Sequence, residues 1–288
     1  MKSYKLQRRI SLIFRYILLV ILALIWVAPI AWIVMASLSK NNFGFVNYFW
    51  FNKAHPFTLN NYSTILTNST FPFVDWFINT MLVAIVTCVL STFITIAISY
   101  VLSRLRFRMR KPMLQFFLVL TMFPGFMTMV ALYYVLRAMN LTNFIGLTIV
   151  YVSGAALAFF IAKGFFDTIP MSIDEAAMID GANKWQIFTK ITLPLSRPII
   201  VYTALMAFIA PWVDYIFSSV ILGGMGPKNM TVAYGLYSMV TYNNVGNAVV
   251  FFPAFVAGCV IVAIPITILF IIMQRFYVNG ITAGADKG

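Results

Sequence analysis

Six long apolar runs divide this chain, and they constrain its fold more than any other feature. A helix needs about 20 apolar residues to cross the ~30 Å hydrocarbon core of a bilayer, and each run is long enough. With 62% hydrophobic and 9% charged residues, the chain is more apolar than a soluble domain, whose apolar share is about 45–50%. We therefore predict an all-α membrane protein, a single domain over residues 1–288, with six transmembrane helices. The predicted spans are Phe14–Leu38, Trp76–Ser103, Pro112–Leu136, Phe144–Phe166, Ile199–Leu222 and Val249–Met273.

The basic residues lie between the apolar runs, which favours membrane topology over nucleic-acid binding as the reason for the net charge of +13. With the N-terminus inside, sixteen of the twenty Lys and Arg residues fall on the cytoplasmic side. The positive-inside rule then predicts that both termini, and the loop between spans four and five, are cytoplasmic. We expect the basic run from Arg104 to Lys111 to form a cytoplasmic hairpin that faces anionic headgroups. The first run continues past Trp26 and Pro29 without a small-residue cleavage site, so we interpret it as a span and not as a signal peptide.

The loop between spans four and five carries the signals of two short helices. Ser172 and Glu175 have the spacing of a capping box, which predicts a helix start there. Gly181 is suited to end that helix with a positive φ. Asn183 can cap a second helix, which we expect Pro194 to stop because proline lacks an N–H. Ordinary cytoplasmic loops also contain such helices, so the caps alone do not define a function.

The spacing of this loop is more informative. It reads Glu175-Ala176-Ala177, three residues, Gly181, nine residues and Ile191-x-Leu193-Pro194, and this pattern resembles the EAA motif of the membrane subunits of ABC importers. The resemblance implies that residues 167–198 form a coupling loop, which seats in a groove of a cytoplasmic ATPase. It further implies that Glu175 makes charge-assisted contacts in that groove, that Gly181 sets an elbow, and that Leu193 and Pro194 fix the second helix against the spans. The predicted ATPase-coupling residues are Glu175, Ala176, Ala177, Gly181, Ile191, Leu193 and Pro194.

Segments near the end of the chain resemble the second, shorter permease subunit of maltose and maltodextrin importers. This resemblance implies a location in the bacterial inner membrane and a heterodimeric pore with a larger, MalF-like permease subunit. It also implies two cytoplasmic ATPases that bind ATP and Mg²⁺, an extracellular sugar-binding protein and an oligosaccharide substrate. Residues 234–247 would meet the binding protein, and the tail after Arg275 would lie against the ATPases. The segments that carry the resemblance are 162–170, 264–268, 274–276 and 279–284.

Asp214 is the only acidic residue inside a predicted span. A charge near the bilayer centre costs about 2.5–3.5 kcal/mol on insertion scales, so Asp214 should face a polar cavity or a partner. A carboxylate beside Trp212 and Tyr215 suits a sugar, because it accepts hydroxyl hydrogen bonds while aromatic faces cover the ring. These three residues are our candidates for the substrate path, with Pro211 offering a broken helical turn beside them. The alternative is that Asp214 pairs across a subunit interface or lies near the external end of its span.

The sequence lacks the residues that several classes of function need. The sequence contains no Gly-x-x-x-x-Gly-Lys-Ser/Thr motif, so we expect no nucleotide or other cofactor in this chain. It offers no Ser/His/Asp or HExxH arrangement for catalysis, and its single histidine, His55, argues against a metal site. A secondary transporter is the alternative class, although only Asp214 is available within the spans for ion coupling. A galacto- or raffinose-type oligosaccharide is the alternative substrate. Residues 39–75 and 223–247 are expected to form external loops.

Overall fold

The computed structural model describes residues 2–40, 48–156, 158–241 and 251–285, and this part of the chain is helical, without a named strand. The all-α prediction is confirmed. The described residues fall into two compact units, residues 1–69 with 238–261 and residues 70–237 with 262–288. The helices are α1 (Lys2–Ser37), α2 (Asn60–Thr67), α3 (Phe73–Arg104), α4 (Arg110–Thr121), α5 (Gly125–Ala138), α6 (Phe144–Ala156), α7 (Phe159–Thr168), α8 (Met171–Ile179), α9 (Lys184–Ile187), α10 (Leu193–Leu195), α11 (Arg197–Val213), α12 (Ile216–Leu222), α13 (Val232–Thr241) and α14 (Phe252–Ala285).

Four helical stretches of the described chain are long and apolar enough to cross a membrane, and two bent helix pairs raise the number to as many as six. The straight candidates coincide with the first, second, fourth and sixth predicted spans. The bent pairs are α4 with α5, at 98°, and the segment Lys184–Leu195 with α11, at 78°. The four straight stretches are Ser11–Ser37, Phe73–Arg104, Phe144–Thr168 and Phe252–Gln274.

The third predicted span bends because of Pro124. This residue lies between α4 and α5 with an extended backbone, φ −57° and ψ 128°. Proline lacks an N–H and disfavours the helical conformation at the preceding residue, here Phe123, so α4 cannot continue into α5.

The fifth predicted span breaks at Asp214 and not at Pro211. Pro211 lies inside α11, which continues to Val213, whereas Asp214 is extended with ψ 106°. The helix resumes at Ile216 as α12. The expectation that Pro211 opens the helical turn was therefore wrong, and the carboxylate itself lies at the break.

A stripe of small hydroxyl side chains runs along one face of α3 and allows close packing. Its members are four or seven residues apart, spacings that place them on the same side of a helix. Small side chains let neighbouring backbones approach closely in membrane proteins, and α3 packs against α6, α7 and α11. The fully buried members of the stripe are Thr80, Thr87, Ser91, Thr95 and Ser99.

In the first unit, the end of α1 is held by polar contacts from α2. The Asn61 side-chain amide donates to the carbonyls of Ser37 and Ser39 at 2.9 and 3.0 Å, and Asn61 is buried. A single antiparallel bridge joins Ser39 to Phe57. The expectation of an irregular loop over residues 39–75 thus missed α2, whose eight residues are too few to give a clear helical period.

Residues 223–247 were expected to be a loop, but they contain the ten-residue helix α13. Its start is bound to the N-terminal end of α3, where the Val232 N–H donates to the Thr80 hydroxyl at 2.7 Å. The Trp76 indole N–H donates to the Pro227 carbonyl at 2.6 Å. Gly235 lies against the same indole, because a Cβ atom at this position would collide with it. The predicted contact residues Tyr242, Asn243, Asn244 and Asn247 lie outside the described residues.

Candidate functional site

The first helix of the predicted coupling loop, α8, begins at Met171, directly after Pro170. Ser172 is already the second residue of the helix, and no side chain caps the N-terminus. The predicted capping box of Ser172 and Glu175 was therefore wrong. Pro170 has ψ 135°, so the change from extended to helical backbone occurs one residue earlier than the Ser172 signal indicated.

The prediction that Gly181 ends α8 is confirmed. Gly181 has φ +83°, the left-handed conformation that glycine adopts without steric strain. Its N–H donates to the Met178 carbonyl at 3.1 Å, and the Ala182 N–H donates to the Ala177 carbonyl at 2.9 Å. These two bonds form a Schellman motif, which satisfies carbonyls that the helix end leaves free.

The predicted cap of the second helix is also confirmed. The Gln186 N–H donates to the Asn183 side-chain oxygen at 2.9 Å, and the Asn183 N–H donates to the Gln186 side-chain oxygen at 2.8 Å. This reciprocal pair is a capping box, which satisfies two backbone donors at the start of α9. The two caps together turn the chain sharply between α8 and α9.

The prediction that Pro194 stops the second helix was wrong. After α9 the chain makes a π-turn over Phe188–Thr192, in which the Leu193 N–H donates to the Phe188 carbonyl five residues back. Pro194 follows at the start of α10, a position where a missing N–H has little cost. The helical path ends at Ser196 instead, where the 78° bend into α11 occurs.

The outer face of the coupling loop is exposed and largely apolar. Ile179 and Trp185, which flank the elbow, are 87% and 68% exposed. Glu175 and Ala176 are exposed beside them, whereas Ala177 is buried against the rest of the unit. Of the predicted residues on the second arm, Pro194 is exposed, and Ile191 and Leu193 are half-buried. An exposed apolar surface of this kind marks a site of interaction with another protein or with a membrane.

Arg104 binds the inner face of the loop. It was predicted to face lipid headgroups, but its side chain is only 2% exposed. The Arg104 Nη1 atom lies 3.4 Å from the Asp174 carboxylate, and Nη2 donates to the carbonyls of Phe166 and Ile169 at 2.9 Å each. The prediction was wrong because the loop folds back over the end of α3 and covers this one arginine. Arg106 and Arg108 remain exposed.

Two further contacts join the end of α3 to the loop and to α7. The Ser103 hydroxyl donates to Asp167 at 2.6 Å, and Lys163 donates to the other oxygen of that carboxylate at 2.6 Å. The Tyr100 hydroxyl donates to the Lys184 carbonyl at 3.3 Å, and its ring packs on Phe188 at 4.5 Å between centroids. Sequence reasoning missed Ser103 and Tyr100 because their hydrogen-bond partners lie 64 and 84 positions away along the chain.

Asp214 lines a cavity of about 590 Å³ between α5, α6 and α11. The Tyr151 hydroxyl donates to its carboxylate at 2.8 Å, and the Phe217 N–H donates to the other oxygen at 3.0 Å. Asp214 and Tyr151 form the polar end of a mostly apolar cavity. The lining residues are Gly125, Phe126, Met129, Val150, Tyr151, Gly154, Ala158, Tyr202, Thr203, Met206, Ala207, Ala210, Asp214, Ile216 and Phe217.

The other two predicted substrate-path residues do not line this cavity. Trp212 is buried and packs on Phe77, with ring centroids 5.2 Å apart. Tyr215 stacks on Tyr237 at 4.1 Å. The structure therefore brings Tyr151 to the carboxylate in place of the two aromatics that neighbour it in sequence. Within the described residues, no group of three or more His, Cys, Asp or Glu side chains could hold a metal ion.

The long apolar helices define the class as a multi-pass helical membrane protein. Residues 95–282 match the family described as binding-protein-dependent transport system inner membrane component. The chain belongs to this family and is a multi-pass component of the inner membrane. The predicted relation to ABC importer permeases is confirmed.

Named relatives match nearly the whole chain. The maltodextrin transport system permease protein MalD of Streptococcus pneumoniae is 34% identical over 99% of both chains. The galactooligosaccharides transport system permease protein GanQ of Bacillus subtilis is also 34% identical, over 99% of this chain and 98% of the relative. A crystal structure of a bacterial ABC transporter for import of the acidic polysaccharide alginate contains a similar chain, with a TM-score of 0.74 and 23% identity. The match covers 93% of this chain and 97% of that transporter chain, and the likeness supports the fold alone.

Proposed function

We propose that this chain is the shorter permease subunit of an ATP-driven importer and transports malto-oligosaccharides by alternating access. In this proposal all six predicted spans cross the membrane, both termini are cytoplasmic, and residues 1–288 act as one permease domain. The observation that carries the proposal is the coupling loop, whose elbow presents Ile179 and Trp185 with 87% and 68% of their surface exposed. In this proposal the loop lies outside the bilayer, where a protein partner covers these apolar side chains.

The partners follow from the family to which the chain belongs. The sequence contains no phosphate-binding motif, and in this proposal two cytoplasmic ATPases supply the energy and bind ATP and Mg²⁺. A larger permease subunit completes the translocation path, and an extracellular binding protein delivers the sugar. The chain itself has no catalytic activity and binds no cofactor in this proposal.

The coupling residues have distinct roles. Glu175 contacts the ATPase groove through charge-assisted hydrogen bonds, next to the small Ala176 and the exposed Ile179. Gly181 fixes the angle between the two arms through its positive φ. Ala177, Ile191 and Leu193 hold the arms against the unit, and Pro194 begins the helical turn that leads to the bend at Ser196.

Asp214 and Tyr151 are the sugar-contacting groups that we propose for this chain. The carboxylate accepts hydrogen bonds from sugar hydroxyls, and the surrounding apolar cavity covers the rest of a sugar ring. Trp212 and Tyr215 support the site, because the edge-to-face contact of Trp212 with Phe77 and the stacking of Tyr215 on Tyr237 fix the chain on both sides of Asp214. Pairing of Asp214 across the interface with the larger permease subunit is the alternative role.

A galacto-oligosaccharide is the second candidate substrate, since the galactooligosaccharide and maltodextrin relatives are equally similar at 34% identity. Proteoliposomes that contain the native complex and its binding protein distinguish the two. We expect uptake of labelled maltotriose and competition by longer maltodextrins. Uptake of a galacto-oligosaccharide without uptake of maltotriose would assign the second substrate.

Substitution at the elbow tests the coupling role. We expect Gly181→Asp to abolish ATP-dependent uptake while the subunit still inserts, because an L-residue strains the positive φ and moves the second arm. The matched control is Gly224→Asp in the exposed loop after α12, outside the predicted spans, where a Cβ meets nothing within 4 Å and φ is ordinary. Normal uptake by Gly181→Asp, or uptake that persists without ATP and collapses with the proton gradient, would contradict the proposal.

A further inference from the structure

We propose that the buried pair of Arg104 and Asp174 is a positioning device that makes α3 move with the coupling loop. This inference rests on the proposed function, because it assumes that ATPases act on the loop. It adds a role for α3 and two residues outside the Glu175–Pro194 motif that sequence reasoning identified.

The contacts of Arg104 converge on three successive parts of the chain. Its guanidinium binds the Phe166 carbonyl at the end of α7, the Ile169 carbonyl of the connecting segment, and the carboxylate of Asp174 on α8. Its Nη1 atom also donates to the Met171 sulfur at 2.9 Å. One side chain in the last turn of α3 thus binds the end of α7, the connecting segment and α8.

Burial makes this attachment difficult to release. The side chains of Arg104 and Asp174 are 2% and 5% exposed. Separation would leave two charges away from water without compensation, which is strongly unfavourable. A displacement of α8 must therefore carry Arg104 with it or break the pair.

The second arm of the loop is attached to the same end of α3. Tyr100 lies one turn before Arg104, donates to the Lys184 carbonyl of α9, and packs on Phe188 of the π-turn. Because both arms are held within the last two turns of α3, the elbow and this helix end form one mechanical unit.

The composition of α3 suits the transmission of such a movement. Its 32 residues contain neither glycine nor proline, whereas α1, α11 and α14 each have an internal proline. Prolines are common sites of helix kinks, so α3 should move as a rigid rod of about 48 Å. At its other end, Trp76 and Thr80 bind the segment that leads into α13. The helix therefore links the coupling loop to a segment on the opposite side of this unit.

The test uses the complete reconstituted complex with both ATPases and the sugar-bound binding protein. The variants are Arg104→Gln, Asp174→Asn and the double variant, with Arg108→Gln as control because Arg108 is an exposed neighbour of the same type. The readout is sugar transported per ATP hydrolysed in complexes that retain their ATPases. A purely structural role would be restored in the double variant, because it leaves no unpaired buried charge.

We expect the double variant to assemble but to transport about 5- to 150-fold less sugar per ATP, the usual range of coupling between distant sites. Arg108→Gln should match the unmodified complex. A normal ratio in the double variant would overturn the inference. If the double variant does not assemble, the single variant Asp174→Asn decides, since it removes the ion pair while keeping the size of the side chain, and a normal ratio there overturns the inference as well. Failure of the unmodified chain to retain any ATPase would instead contradict the proposed function.

Discussion

The two ends of α3 are held by different kinds of contact. At the N-terminal end, the neutral side chains of Trp76 and Asn79 donate to backbone carbonyls of Pro227, Lys228 and Met230. At the C-terminal end, Arg104 pairs with a buried carboxylate and binds two carbonyls. Hydrogen bonds between neutral groups contribute about 0.5–1.5 kcal/mol each, and those to charged groups about 1.5–3 kcal/mol.

The comparison shows that the two ends depend on different properties of the sequence. Any residue supplies a backbone carbonyl, so the N-terminal end depends on the fit between Trp76 and Gly235. The C-terminal end depends on the identity of both partners, since removal of either charge leaves the other buried and unpaired. We expect substitutions to be most damaging at the charged end.

The largest effect is expected from loss of one charge at the C-terminal end. Arg104→Gln leaves Asp174 buried and unpaired, which should lower the free energy of unfolding by about 3–5 kcal/mol. Thermal unfolding of the purified subunit or complex in detergent measures the loss. The double variant with Asp174→Asn should recover most of it. A single variant as stable as the unmodified protein would show that the pair is not buried.

An intermediate effect is expected from steric conflict at the N-terminal end. Gly235→Ala places a methyl group against the Trp76 indole and should destabilise the protein by about 1–3 kcal/mol. Gly164→Ala is the matched control, because the added Cβ meets nothing within 4 Å and alanine favours a helix by about 1 kcal/mol over glycine. Equal melting temperatures for the two variants would argue against close contact at Gly235.

The smallest effects are expected from single neutral hydrogen bonds. Trp76→Phe removes the donor to Pro227 and should cost about 0.5–1.5 kcal/mol beyond the lost packing. Tyr100→Phe removes only a 3.3 Å hydrogen bond and keeps the ring on Phe188, so its cost should lie at the low end of that range. Denaturation of both variants under the same conditions shows which one loses more stability. A larger loss of stability for Tyr100→Phe than for Trp76→Phe would contradict this order.

The parts of the site that the sequence predicted are local. Gly181 and the pair of Asn183 and Gln186 act within a few residues, so their spacing alone gives the elbow. Ser172 failed as a cap because the backbone of Pro170 had already set the helix start. The π-turn before Pro194 was missed because no simple residue pattern distinguishes it from an ordinary helical turn.

The contacts that sequence could not predict join distant segments. Arg104 and Asp174 are 70 positions apart, and Tyr151 and Asp214 are 63 apart, so neither pair leaves a local pattern. Hydropathy predicted the spans well where helices are straight. It did not distinguish a continuous helix from one that bends at Pro124 or breaks at Asp214, because the residues on both sides of each break are equally apolar.

Because the space around Gly181 is open, the chirality of a side chain, and not its volume, limits which residues this position accepts. A Cβ atom here meets no neighbour within 4 Å, while φ is +83°. A D-alanine introduced by chemical synthesis of the loop would adopt this backbone naturally, whereas L-alanine would be strained. Because alanine has less freedom than glycine in the unfolded chain, D-alanine here should stabilise the folded protein by about 0.4–1 kcal/mol. We thus expect the elbow to accept a D-amino acid more readily than any of the natural L-amino acids.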